Sequence, residues 1–156
     1  MKSSILFFFL FIFLPVLGCG QSLSGNQAEN SDQASYVGLS VEQLISRFGI
    51  PSSVYPVRGL EEWQDDVVFV YEKGDFYVFR DRVWQVGLTS YMGVNRGDPG
   101  SVIMLILDDL SGFSRLQSPH GSISYSIYER SWPLIVRFDF DDAGRIRGIF
   151  IFRSDL

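Results

Sequence analysis

The feature that most constrains this chain is a strict two-residue alternation in its second half. Ile123, Tyr125 and Ile127 alternate with Ser122, Ser124 and Ser126, and Leu134, Val136, Phe138 and Phe140 alternate with Ile135, Arg137 and Asp139. Successive side chains of a strand point to opposite faces, so this period demands a sheet with one packed face and one wet face. Residues 67–71, 76–79 and 83–88 are β-branched and aromatic, separated by a Lys73-Gly74-Asp75 turn and an Arg80-Asp81 reversal, and read as an antiparallel meander. Asp141-Asp-Ala-Gly144 turns the chain into a last strand over 146–152.

Two helices interrupt the strands. Ser40-Val-Glu-Gln43 is a capping box, and Val41, Leu44, Ile45 and Phe48 fall on one helical face before Gly49 and Pro51 end it. Gly97-Asp98-Pro99 places an Asp cap before a Pro at the first helical position. Val102, Ile103, Leu105, Ile106, Leu107 and Leu110 then make this second helix apolar on more than one face, which predicts deep burial. Residues 111–120 read as a polar loop. The expected fold is α+β: two tandem helix-plus-antiparallel-strand repeats, each of a helix and three strands, with the helices packed on one face of the sheet.

The 156 residues suit one domain. Eighteen acidic residues against 13 basic ones argue against nucleic acid as a partner. A single Cys and a single His provide neither a disulfide framework nor a four-ligand zinc site, so no metal or other cofactor is expected.

Lys2 precedes an apolar run over residues 5–17, too short for a membrane span and the right length for a signal-peptide core. It ends in Val16-Leu17-Gly18-Cys19, which resembles the lipobox of a bacterial lipoprotein signal, although Leu17 replaces the usual small residue. The resemblance implies cleavage before Cys19 and acylation of that residue. Ordinary secretion is the competing reading, but it leaves the one Cys of the chain as a free thiol in an oxidising compartment. Residues 1–18 are then the signal peptide and 19–35 a lipidated Cys with a tether. With one large apolar residue, Leu23, the tether cannot bury enough surface to order itself. It reaches roughly 20–25 Å on about 5–6 Å × √n. The folded domain is expected over 36–156.

Gly38-Leu-Ser-Val-Glu-Gln-Leu-Ile-Ser-Arg-Phe-Gly-Ile-Pro51 is similar to the opening of SmpA/BamE-like domains, and Phe140-Asp-Asp-Ala-Gly-Arg-Ile146 resembles the hairpin that closes such units. Two units in tandem resemble the architecture of the β-lactamase inhibitor protein (BLIP) superfamily. The resemblance implies protein binding rather than catalysis. It points to a lipid-anchored scaffold of the bacterial envelope, on the periplasmic side of the outer membrane, or alternatively to a protein inhibitor of an exported enzyme.

Catalytic chemistry finds little support. His120 lies in a Ser-Pro-His-Gly loop with no nucleophile elbow beside it. Asp139-Phe-Asp-Asp-Ala-Gly144 lacks the ligands of a calcium loop at its later positions and reads as a turn; Asp139 and Asp141 leave room only for a shallow ion site. Asp108-Asp109 closes the second helix and reads as a cap, and Arg96-Gly-Asp98 matches the integrin tripeptide, a weaker account of Asp98 than a helix cap. The chain is therefore read as a non-enzyme with a protein partner and a membrane anchor. Among its aromatics, which include Trp63, Tyr77 and Tyr91, the expected partner contacts are Tyr128, Trp132 and Trp84, and the lipid site is Cys19. The wet face, carrying the serines of 122–126 with Tyr128, Arg137 and Asp139, is the expected seat.

Overall fold

The computed structural model describes residues 33–58, 66–128 and 132–155. Cys19, the leader, most of the tether and Trp63 lie outside them. After a 3₁₀ turn at Ala34–Tyr36 the order is α1 (Val41–Phe48), β1 (Ser53–Val57), β2 (Asp66–Tyr71), β3 (Gly74–Phe79), β4 (Arg82–Leu88), β5 (Ser90–Tyr91), β6 (Val94–Asn95), α2 (Ser101–Leu107), β7 (Phe113–Leu116), β8 (Ser122–Ile127), β9 (Leu134–Phe140) and β10 (Ile146–Arg153).

The expected pair of helix-plus-strand repeats does not form. The described residues are mostly β, with 50% strand against 17% helix, and are organised by one eight-stranded antiparallel sheet of order β1-β2-β3-β4-β10-β9-β8-β7. The last strand, β10, pairs with β4 as well as with β9, so both halves share one sheet and one core. Two strands without an alternation signal extend its edges. β1 is exposed along its whole length and contains Pro56, and β7 lies inside the segment expected to be loop. The β5–β6 hairpin, also unexpected, packs the buried Tyr91 against Phe113.

The first helix forms because its capping box closes in full. Gln43 N–H donates to Ser40 Oγ (3.1 Å) and Ser40 N–H to Gln43 Oε1 (2.9 Å). Phe48 then meets Tyr36, Phe76 and Tyr71 at centroid distances of 5.1, 5.2 and 5.7 Å, pinning α1 to the packed face of β2 and β3. The reversal between β3 and β4 places Arg80 and Asp81 in left-handed conformations, as a two-residue hairpin turn requires, and Asp81 Oδ1 accepts from Val41 N–H at 3.4 Å.

The second helix departs from expectation in two ways. It starts at Ser101 with Gly100 at the N-cap and no side-chain cap. Asp98 instead accepts from the backbone and side-chain N–H groups of Asn95 (2.8 and 3.2 Å), closing the turn that precedes the helix. Nor is α2 deeply buried: Ile103 and Leu107 are fully buried, Ile106 is half-buried and Leu105 is 79% exposed. Seven residues give fewer than two turns at about 3.6 residues each, so only one narrow stripe of a wholly apolar run can face the sheet. At its end Asp108 accepts from the buried Tyr125 hydroxyl at 2.6 Å, which fastens α2 to β8.

Ile103→Ala or Leu107→Ala should cost about 2–5 kcal/mol in urea denaturation, as deletion of a buried apolar side chain does. Leu105→Ala should stay within about 0.5 kcal/mol. Tyr125→Phe should cost about 1–2 kcal/mol through the lost charge-assisted bond. Burial, then the Asp108 carboxylate, hold the Tyr125 hydroxyl well above its ordinary pKa of 10.0. The unfolded chain therefore gives up this proton first, and the contribution, complete below pH 10, is lost as pH rises further. The alkaline fall in stability should be shallower in Tyr125→Phe than in the wild type.

Candidate functional site

Strand parity separates the sheet into two faces. One row on the packed face runs Val54, Phe69, Phe76, Val86, Ile151, Val136, Tyr125 and Arg115 across all eight strands. Phe48 of α1 and Asp108 beyond α2 touch side chains on this face. No described helix contact reaches the opposite face. There one row reads Tyr55, Val68, Tyr77, Gln85, Phe152, Ile135, Ser126 and Ser114, and the next reads Ser53, Val70, Asp75, Gly87, Phe150, Arg137, Ser124 and Leu116. Aromatic and aliphatic residues thus occupy the β1–β10 side, and small hydroxyls the β7–β8 side; Val68, Asp66 and Ser124 on this face are buried, and the others are partly or well exposed apart from Gly87.

A cation on two rings lies at the junction. The Arg137 guanidinium carbon is 5.4 Å from the centroids of both Phe150 and Phe152. Its Nε lies 3.0 Å from Asp139 Oδ1, yet this buried N–H is not aimed at an acceptor, and the side chain is 37% exposed. The rings hold the guanidinium flat while the carboxylate fixes its rotation. Phe150 reclines because its neighbours have no side chains. A Cβ on Gly148 would fall 2.6 Å from the ring, and one on Gly87 3.5 Å. The glycines keep the centre of the face low and flat.

The three aromatics expected from sequence occupy different environments at one end of the sheet. Trp84 sits where the β3–β4 register shifts, and its indole N–H donates to Asp66 Oδ1 at 3.0 Å across the open face. Tyr128 is 55% exposed and follows β8 in phase with the serines. Hydrogen bonding from Ser114, then Ser126, draws its hydroxyl below the usual tyrosine range. Trp132 is committed to its own chain. Arg153 stacks over its ring at 4.0 Å and forks onto Asp155 at 2.9 and 2.8 Å. Its Nε1 lies close over Gly38, where a Cβ would come within 2.9 Å; Gly38 also has a φ of 96°.

Sequence reasoning missed Tyr55, Phe150 and Phe152 as members of this face. Phe150 and Phe152 alternate with Ile149 and Ile151, so both phases of β10 are apolar and the period is silent about which faces solvent. Tyr77 was read only as an aromatic; burial first, then Tyr55 and Asp75, raise its hydroxyl pKa.

Among the described residues no group of three or more His, Cys, Asp or Glu is placed to hold a metal. The Asp141 carboxylate, weighed as an ion ligand, accepts instead from Ala143 and Arg145 N–H at 3.0 and 2.9 Å. A shallow depression of 510 Å³ beside α1 is lined by Ser40, Gln43, Arg47 and Arg82, and the first two are occupied by the capping box.

No family model matches the chain, and no curated protein matches it. It is similar to the 1.5 Å crystal structure of an extracellular protein containing an SCP domain from Bacillus anthracis str. Ames, with 14% identity over 78% of this chain and a TM-score of 0.48. The chain spans 45% of that protein's length.

Gly148→Ala should lift the Phe150 ring and remove one of the two supports of Arg137 while the sheet stays folded, at a stability cost of about 1 kcal/mol. In proton NMR the ring-current shift of the Arg137 side-chain methylenes should shrink. An unchanged shift would show that the glycine does not seat the ring.

Proposed function

We propose that this is a non-catalytic lipoprotein of the bacterial cell envelope, anchored through Cys19, whose helix-free sheet face binds a protein partner. The observation that carries the reading is the composition of that face. Phe150, Phe152 and Arg137 form a rigid stacked centre, Tyr55 and Tyr77 flank it on one side, and serines flank it on the other. Aromatic residues and Arg dominate binding energy at protein interfaces, and small hydroxyls adapt to a partner's polar groups. Eight strands at about 4.8 Å spacing give a width of about 34 Å, and five residues of strand a height of about 17 Å. The resulting area, on the order of 600 Å², approaches the roughly 800 Å² that each side contributes to a standard interface. A complementary surface offers apolar side chains to the aromatics and a carboxylate to Arg137.

The anchor rests on the Val16-Leu17-Gly18-Cys19 sequence and its place directly after the apolar run. The periplasmic side of the outer membrane is the location this reading assigns.

Labelling with a palmitate analogue should mark the wild-type protein and not Cys19→Ser, and the variant should move to the soluble fraction. A photo-crosslinking residue in place of Phe150 should give a discrete adduct in intact cells, whereas one at Asp142, an exposed turn position, should give none. With the adduct identified, Phe150→Ala and Tyr128→Ala should each weaken its binding by more than about 1 kcal/mol. Full affinity in the folded double variant would move the interface elsewhere.

A further inference from the structure

The helical side of the molecule carries apolar side chains that the fold does not use. Ile50, just beyond α1, is 90% exposed, and Leu105 on α2 is 79% exposed; Ile45 on α1 and Met104 on α2 are 42% and 38% exposed. Leu105 is the more telling, because its helix is already held by Ile103, Leu107 and the Asp108–Tyr125 bond. Ile50 and Leu105 are the two most exposed large apolar side chains among the described residues.

The path of the chain indicates which partner. The described chain begins at Gln33, whose side chain donates to Ser90 O at 3.4 Å in the segment between β4 and α2. Tyr36, three residues on, packs against Phe48 of α1 and Phe76 at 5.1 and 5.7 Å. The tether is therefore rooted in the helical layer, on the side that carries Ile50 and Leu105. Fourteen residues of sequence separate Cys19 from this root, and a flexible chain of that length has a root-mean-square reach of about 20 Å, on about 5–6 Å × √n. A lipid at Cys19 keeps the root within about that distance of the bilayer. Arg47 on α1 and Arg115, whose guanidinium lies 3.6 Å from Met104 Sδ, flank these residues, and Asp108 and Asp109 follow α2, so charge of both signs borders them and the anchor rather than headgroup charge supplies attachment.

We infer that the helical side of the domain rests on the membrane, with Ile50 and Leu105 entering the headgroup layer, and that the open sheet face is thereby turned toward the aqueous compartment. This rests on the lipoprotein reading above. Short aliphatic insertions add little affinity by themselves; with the anchor supplying attachment, they select one orientation among those the tether permits.

The test uses the full lipidated chain in vesicles of phosphatidylethanolamine and phosphatidylcholine. Cys19 is the only Cys and is blocked by acylation, so a Cys introduced at Ile50, Leu105 or Ser126 takes an environment-sensitive fluorophore at one site. Probes at Ile50 and Leu105 should shift to the blue and lose most of their emission to lipids bearing a quencher near the headgroup, while the probe at Ser126 should do neither. If the protein floats with the vesicles but all three probes report water, the orientation is wrong and the anchor stands. If the Ser126 probe alone is quenched, the sheet face is the membrane side and the inference is overturned. If the chain does not float at all, anchor and orientation fall together. A blue shift at Leu105 that persists in vesicle-free detergent and grows with protein concentration would assign the patch to a second copy and overturn it as well.

Discussion

The pairing of β4 with β10 is the constraint on which the rest of the structure depends. Leu88 meets Ile149, Gly87 meets Phe150, Val86 meets Ile151 and Gln85 meets Phe152, joining strands about 60 residues apart in the chain. Without this ladder each half would be a small sheet whose inner edge needed covering. With it, Val86 and Ile151 become the middle of one core, and Gly87 and Phe150 the middle of one continuous open surface. The same eight residue positions thus set the stability of one face and the shape of the other.

Local sequence carried much of this outcome but not its arrangement. The Ser40 capping box, the alternation in β8 and β9 and the Arg80-Asp81 turn are decided within a few residues, and their chemistry is visible there. Long-range decisions are not. β1 reads Ser-Val-Tyr-Pro-Val, a strand only because β2 supplies a partner, and β7 reads Phe-Ser-Arg-Leu, too short to show a period. Omitting both strands makes the chain look like two three-stranded units. The apolar run of α2 misled in the opposite direction, since composition alone does not say how few residues a seven-residue helix can bury.

The candidate surface was legible to a similar degree. Alternation assigned Ser122, Ser124, Ser126, Arg137 and Asp139 to one wet face; the register places all five on that face, but Ser124 is buried there. Its aromatic half was hidden because β10 is apolar in both phases. Trp132 illustrates a different difficulty. As an aromatic beside Pro133 it has the character of an interface residue, but Arg153, Asp155 and Gly38 engage it within the domain. Composition marks which side chains can make strong contacts; the fold decides with whom.

Pro56 carries a consequence for how such molecules behave together. It stands in β1, a strand at the margin of the sheet whose residues are exposed throughout. An unprotected margin offers its unpaired backbone groups to any neighbour. Lacking an N–H, Pro56 leaves a gap in the donor pattern that a ribbon of strands would require. At the other margin β7 is only four residues long and turns into the sequence around Pro119. Neither margin therefore offers a neighbouring copy the continuous row of backbone donors that stitching into a fibre requires.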